Sequence, residues 1–139
     1  MNATFVDTSF LIALLLEPDE HHERALGWQD VITGPLLTTD FVLVEFVDAL
    51  CTKQLRRRAF DGVAELRADP LVRVVPASTA VLNDGLAFFG RHADKEWSLT
   101  DCISFVVMRR EGVHEALSSD HNFEQAGFRA LLRSDPPGR

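Results

Sequence analysis

The chain has 139 residues and a net charge of −7, with 46% hydrophobic and 25% charged residues. That length favours one domain over residues 1–139, able to bury roughly 68% of its unfolded surface without disulfide or metal staples. The acidic balance argues against indiscriminate nucleic-acid binding. The apolar run Phe10–Leu16 is too short to span a membrane and has no basic start upstream, so the expected location is the cytoplasm, with no membrane partner.

Strand and helix signals alternate along the chain. Thr4–Asp7 reads as a short buried strand, and Ser9–Leu16 as a helix stopped by Glu17-Pro18. His21–Ile32 reads as a second helix, ended by Gly34-Pro35, and Leu36–Thr38 as a second strand. Asp40 is the expected N-cap of a long helix, Phe41–Lys53. Arg57–Arg67 is helical up to Asp69-Pro70, Leu71–Val75 is a β-branched strand, and Thr79–His92 carries a helical stripe of Val81, Leu82, Leu86 and Phe89. Trp97-Ser98-Leu99-Thr100 leads into a helix over Asp101–Arg110, ended by Gly112. Glu115–Ser118 is a fourth strand, Asn122–Gln125 a helical turn, and Phe128–Leu132 a fifth strand; residues 134–139 form an expected frayed tail. Cys51 and Cys102 fall within apolar helical patterns and read as small core residues in a reducing compartment. Short strands separated by helices predict a three-layer α/β/α sandwich around a mainly parallel sheet of about five strands.

Against that pattern four acids stand out. Asp7 closes the first strand, Glu45 interrupts the apolar helix that follows the second, Asp101 opens a helix, and Asp120 follows the fourth strand. A lone carboxylate in apolar surroundings costs several kcal/mol unless it is paired or binds metal. Asp7 and Asp120 fall at the carboxyl ends of predicted strands, where open α/β sheets bind ligands, and Glu45 and Asp101 can reach the same edge. Clustered carboxylates suit Mg2+ or Mn2+. Two of them ~5 Å apart repel by roughly 3 kcal/mol at an effective dielectric of 20, a strain that a cation relieves. A divalent ion held there activates water and stabilises an in-line phosphoryl displacement, so phosphodiester hydrolysis is the chemistry that fits.

Each acid also has a local reading. Asp7 suits a helix cap, Ser98 to Asp101 resembles a capping box, and Asp120 suits a turn beside His121 and Asn122. Glu45 has no such explanation, since no cation lies one turn away. His21-His22 and His121 lack zinc-ligand spacing. Gly-rich phosphate loops and Gly-x-Ser-x-Gly are absent. A phosphoacceptor at Asp7 would need a second acid nearby, where Ser9 stands. The basic cluster of Lys53, Arg56, Arg57 and Arg58 fits a solvated helix end and a polyanion contact equally well.

At these residues the chain resembles the PIN-domain ribonucleases, in particular the VapC-type toxins of prokaryotic toxin–antitoxin pairs. Phe5-Val6-Asp7-Thr8-Ser9, Val44-Glu45-Phe46, Trp97 to Phe105 and Ser118 to Phe123 with Ala126-Gly127-Phe128 carry the likeness, which runs nearly the whole chain. The resemblance implies Mg2+- or Mn2+-dependent cleavage of RNA to 5′-phosphate and 3′-hydroxyl ends. By position, Asp7 and Asp101 would be the principal metal ligands, with Glu45 and Asp120 completing the pocket. Ser9 would orient Asp7, and Ser98 would cap the Asp101 helix. It also implies a homodimer silenced by a small VapB-like antitoxin lying over an apolar groove, for which Phe10, Leu11, Leu14, Leu15 and the Phe41–Leu50 helix are candidates. One departure is Asn122, between His121 and Phe123, where many relatives have His directly before Phe. Asp94 has no place in the pattern. The competing expectation is a catalytically idle PIN fold acting as an RNA- or protein-binding module.

Overall fold

The structure is a computed structural model that describes residues 2–138. Five strands form one parallel sheet in the order β3-β2-β1-β4-β5: β1 Thr4–Val6, β2 Leu36–Thr39, β3 Val72–Val75, β4 Glu115–Leu117 and β5 Arg129–Ala130. Successive side chains of a strand point to opposite faces, and the core divides accordingly. Phe5, Leu37 and Ala116 face one cluster, Val6 and Leu117 another.

The first cluster packs against α5 (Thr79–Arg91), α6 (Leu99–Glu111) and α7 (His121–Gln125). Here Phe105 meets Trp97 and Phe123 edge-on, with ring centres 5.2 and 4.9 Å apart. The second cluster packs against α1 (Thr8–Leu15) and α2 (His22–Val31) through Phe10, Ala13, Ala25 and Trp28. These faces make the three layers expected from the alternating sequence. A third, smaller cluster joins α3 (Asp40–Ala49) to α4 (Arg56–Ala68) through Phe46, Leu50 and Ala59, with the apolar end of α1 against it.

Local chemistry explains most boundaries. Glu17-Pro18 follows the end of α1, and Gly112 closes α6 in the left-handed region at φ 67°. Gly85 lets α5 and α6 approach so closely that a Cβ there would run into Ile103 Cγ1.

Several expectations need correction. The cap of α3 is Thr39, whose Oγ1 accepts from Val42 N at 3.1 Å. Asp40 instead reaches outward, accepting from Ala77 N at 2.8 Å and Arg67 Nη2 at 3.1 Å. The α3 helix stops at Ala49 because Leu50 turns inward to the third cluster, which leaves Cys51 exposed; Cys102 is buried as expected. The fifth strand is only two residues long. Leu131 and Leu132 are consecutive and both enter the cluster of α1 and α2, which a two-faced strand cannot achieve, so the chain coils into a 3-10 turn over Leu131–Arg133. The start of the tail is tied down. Trp28 Nε1 donates to Ser134 O at 3.0 Å, Arg24 pairs with Asp135 at 3.0 Å, and Pro136 is buried.

Among the described residues, no helix is long and apolar enough to cross a membrane.

Candidate active site

Strands β1 and β4 lie side by side, yet the chain leaves β1 toward β2 and β3 and only later crosses to β4. The crevice beyond their carboxyl ends is the switch point where open α/β sheets take ligands. Asp7 follows β1 directly, and its backbone N–H extends the pairing to Leu117 O at 3.2 Å. Strand pairing thus fixes where this carboxylate begins.

Asp7 is 5% exposed and caps α1. Its Oδ2 accepts from the hydroxyls of Ser9 and Ser118, both at 2.8 Å, and from Ser9 N at 3.4 Å. Ser9 Oγ also accepts from Ser119 N at 3.1 Å, and Ser118 Oγ from Asp120 N at 3.1 Å. Two hydroxyls therefore lock the first acid to the loop that carries the last.

Asp101 is 8% exposed and sits in the first turn of α6. Its backbone N–H donates to Ser98 Oγ at 3.0 Å, and its Oδ2 accepts from Ser98 N at 3.4 Å, closing a capping box. The same Oδ2 accepts from Asn122 Nδ2 at 3.2 Å. Asp120 caps α7 by accepting from Asn122 N at 2.8 Å. Among the described residues, Oδ1 of Asp7 and Oδ1 of Asp101 have no hydrogen-bond partner, and neither is sealed from solvent. Each carboxylate is held by one oxygen and offers the other.

Electrostatics join the set. Burial raises the Asp7 carboxyl above its ordinary 3.8; bonds from Ser118 and Ser9 oppose the rise, and the charge of Glu45 adds to it. Burial likewise raises Asp101, from 3.8 to about 6, with the charges of Asp7 and Asp120 adding to the effect. The structure therefore brings Asp7, Asp101 and Asp120 together, with Glu45 acting on Asp7 from half-buried α3. Among the described residues, no lysine or arginine forms an ion pair with Asp7, Glu45, Asp101 or Asp120.

Among the described residues, no three acidic, histidine or cysteine side chains form a ready-made metal cage. Mg2+ commonly keeps several waters and is held by one or two carboxylates rather than by an all-protein cage. Two buried carboxylates, each with one oxygen free of hydrogen bonds among the described residues, are a donor set that fits a hard divalent ion.

The other candidates fall elsewhere. Asp94 pairs with Lys95 at the surface, at 3.3 Å. His121 is exposed, with Nδ1 3.7 Å from Asp120 Oδ1. His22 Nδ1 bonds Ala13 O at 2.7 Å near the end of α1. Arg56 and Arg58 bind the carbonyls of Cys51 and Leu15, where α3 and α1 end, which favours the helix-end reading for those two. Two contributors escaped the sequence reading. Ser118 is fully buried and donates to Asp7, and Asn122 donates to Asp101. A small hydroxyl ending a buried strand two residues before an acid was the available signal for Ser118.

Residues 4–129 match the PIN domain family. Over 124 residues the chain is 32% identical to the 23S rRNA-specific endonuclease VapC20 from two strains of Mycobacterium tuberculosis, spanning 89% of this chain and 94% of that protein. The crystal structure of VapC20, described as a sarcin–ricin loop cleaving toxin, superposes with a TM-score of 0.83 at 31% identity, covering 90% of this chain and 95% of the other. FitAB bound to a DNA fragment gives a TM-score of 0.66 at 15% identity, covering 96% and 99%, and shows likeness of fold alone. With a match running from β1 into β5 and an acidic crevice at the switch point, the chain belongs to the PIN-domain family, in its VapC-type branch.

Proposed function

We propose that this chain is a divalent-metal-dependent endoribonuclease, the toxin of a type II toxin–antitoxin pair, folded as one nuclease domain. The carrying observation is the convergence of Asp7, Asp101 and Asp120, tied together through Ser118 and Asn122, with Glu45 acting on Asp7 and, among the described residues, no lysine or arginine paired with any of them. Asp7 and Asp101 would hold Mg2+ or Mn2+ through their outward oxygens. Bound there, the ion supplies Lewis acidity and an activated water for in-line attack on a phosphodiester. Ser9 and Ser118 fix the rotamer of Asp7, and the backbone N–H of Ser98 gives Asp101 one bond. Asp120 and Glu45 deepen the negative field that draws the cation in. VapC20, by its name, acts on 23S rRNA, so structured ribosomal RNA is the first substrate class to test.

The partners follow from apolar surface. Leu11, Leu14, Leu15, Leu26, Leu43 and Phe46 line a groove of about 350 Å³, which suits an apolar antitoxin segment. Val44 and Val47 on α3, and Leu86 and Phe89 on α5, are exposed apolar side chains that a second copy would cover.

Purified protein incubated with Mn2+ and a sarcin–ricin-type RNA hairpin should cut it at defined positions. EDTA should stop the reaction, and Asp7→Asn and Asp101→Asn should each abolish it. If Asp101→Asn cuts as well as wild type, the assignment fails.

A further inference from the structure

The acidic crevice poses a mechanical problem. Asp101 and Asp120 are like charges that come from different elements, the first turn of α6 and the cap of α7, yet one side chain bonds both. Something must hold two mutually repelling carboxylates in register before a cation arrives.

We infer that Asn122 is the positioning residue that performs this task, an inference that rests on the nuclease reading above. Its amide nitrogen donates to Asp101 Oδ2 at 3.2 Å and to Asp120 Oδ2 at 3.4 Å. Its backbone N–H donates to Asp120 Oδ1 at 2.8 Å. A primary amide carries two N–H donors on one planar nitrogen, so a single side chain can serve two carboxylates.

The choice of amide is informative. A lysine or arginine could bridge the same oxygens more strongly, but its charge would neutralise the crevice and compete with the divalent ion. Serine or threonine has one donor and could hold only one of the pair. An amide bridges both and adds no net charge, leaving the negative field intact. It also spends the oxygen of Asp101 that already faces Ser98 N and leaves Oδ1 outward. Asn122 thus sets the spacing and rotamers of Asp101 and Asp120 without touching substrate, as groups bonded to metal ligands do.

The test uses the full chain with Asn122→Ala and with Asn122→Leu, which has nearly the shape of Asn and no donors. Mn2+ affinity is measured by calorimetry, cleavage of an RNA hairpin by kcat and KM, and folding by the melting temperature of the metal-free protein. Both variants should lose on the order of 10- to 100-fold in Mn2+ affinity or in kcat, with KM for RNA and the metal-free melting temperature little changed. Crystal structures of metal-free Asn122→Leu should show the Asp101 and Asp120 carboxylates displaced. Wild-type affinity and kcat in a folded variant, or unmoved carboxylates, would overturn the role. A fall in melting temperature with kcat and affinity intact would also overturn it, because that is what a purely structural contact predicts. If wild type itself neither binds Mn2+ nor cuts RNA, the nuclease reading falls and takes this role with it.

Discussion

At Asp101 one carboxylate carries two duties. It closes the capping box of α6 through Ser98 and also feels the charges of Asp7 and Asp120. The folded chain holds its proton up to about pH 6, against 3.8 for the ordinary group. Because the folded value is the higher, this group's contribution to stability is fully present below pH 3.8 and lost as pH rises through about 6. Ionising it in the metal-free fold costs on the order of 3 kcal/mol. Metal-free Asp101→Asn should therefore melt above wild type at pH 8, with the gap closing toward pH 4. A gain that is equal at both pH values would rule out burial of charge as its cause. The same proton competes with the metal, so Mn2+ affinity of wild type should weaken as pH falls through 6. A residue that costs stability and is required for activity is a common sign of a functional site.

At the scale of elements, three helices begin at the crevice: α1 capped by Asp7, α6 with Asp101 in its first turn, and α7 capped by Asp120. A helix start carries a partial positive charge, which partly offsets the gathering of carboxylates there. The local readings of Asp7 as a helix cap and of Ser98 to Asp101 as a capping box hold, and they are compatible with the functional reading proposed above. The caps are what aim the carboxylates. The positions of α6 and α7 depend in turn on how closely α5 approaches, and Gly85 sets that distance. Gly85→Ala should destabilise by about 1–3 kcal/mol, because Ile103 cannot yield in a packed core. Gly62 is the contrasting case. A Cβ there meets the Phe46 ring at an ordinary 3.8 Å within α4. Gly62→Ala should therefore gain about 0.5–1 kcal/mol from helix propensity. Urea midpoints measure both, and a neutral Gly85→Ala would mean that α5 and α6 sit further apart than the structure shows.

For the whole molecule, charge and topology act together. A net charge of −7 disfavours indiscriminate contact with RNA, whereas a divalent ion held as proposed would turn the crevice into a place where a phosphate can sit. Binding to the folded state alone also links metal to stability. At 100 times its dissociation constant, Mn2+ should stabilise the fold by about 2.7 kcal/mol. Thermal melts with and without Mn2+ measure this, EDTA should reverse the shift, and Asp7→Asn should flatten it. A catalytically idle PIN fold would show no shift with Mn2+ at any concentration.

Sequence alone determined what depends on neighbours a few residues apart. The alternation of elements, the glycine stop at Gly112, the caps at Asp7 and Ser98 and the four acids were legible because a cap bonds within three residues and a side-chain period is local. The motif around Asp101 made the family resemblance specific. Tertiary structure decided the rest. Ser118 donates to Asp7 across 111 positions of chain, and Asn122 reaches Asp101 across 21. These pairings exist only because β4 lies beside β1 and α7 lands against α6. An acid at position 40 suits a helix cap, but Thr39 caps while Asp40 binds Arg67 and Ala77 N. The fifth strand was cut short because two adjacent leucines had to enter one cluster. Local preference proposes each of these arrangements, and packing between distant segments chooses among them, since burial and pairing energies outweigh the small local preferences.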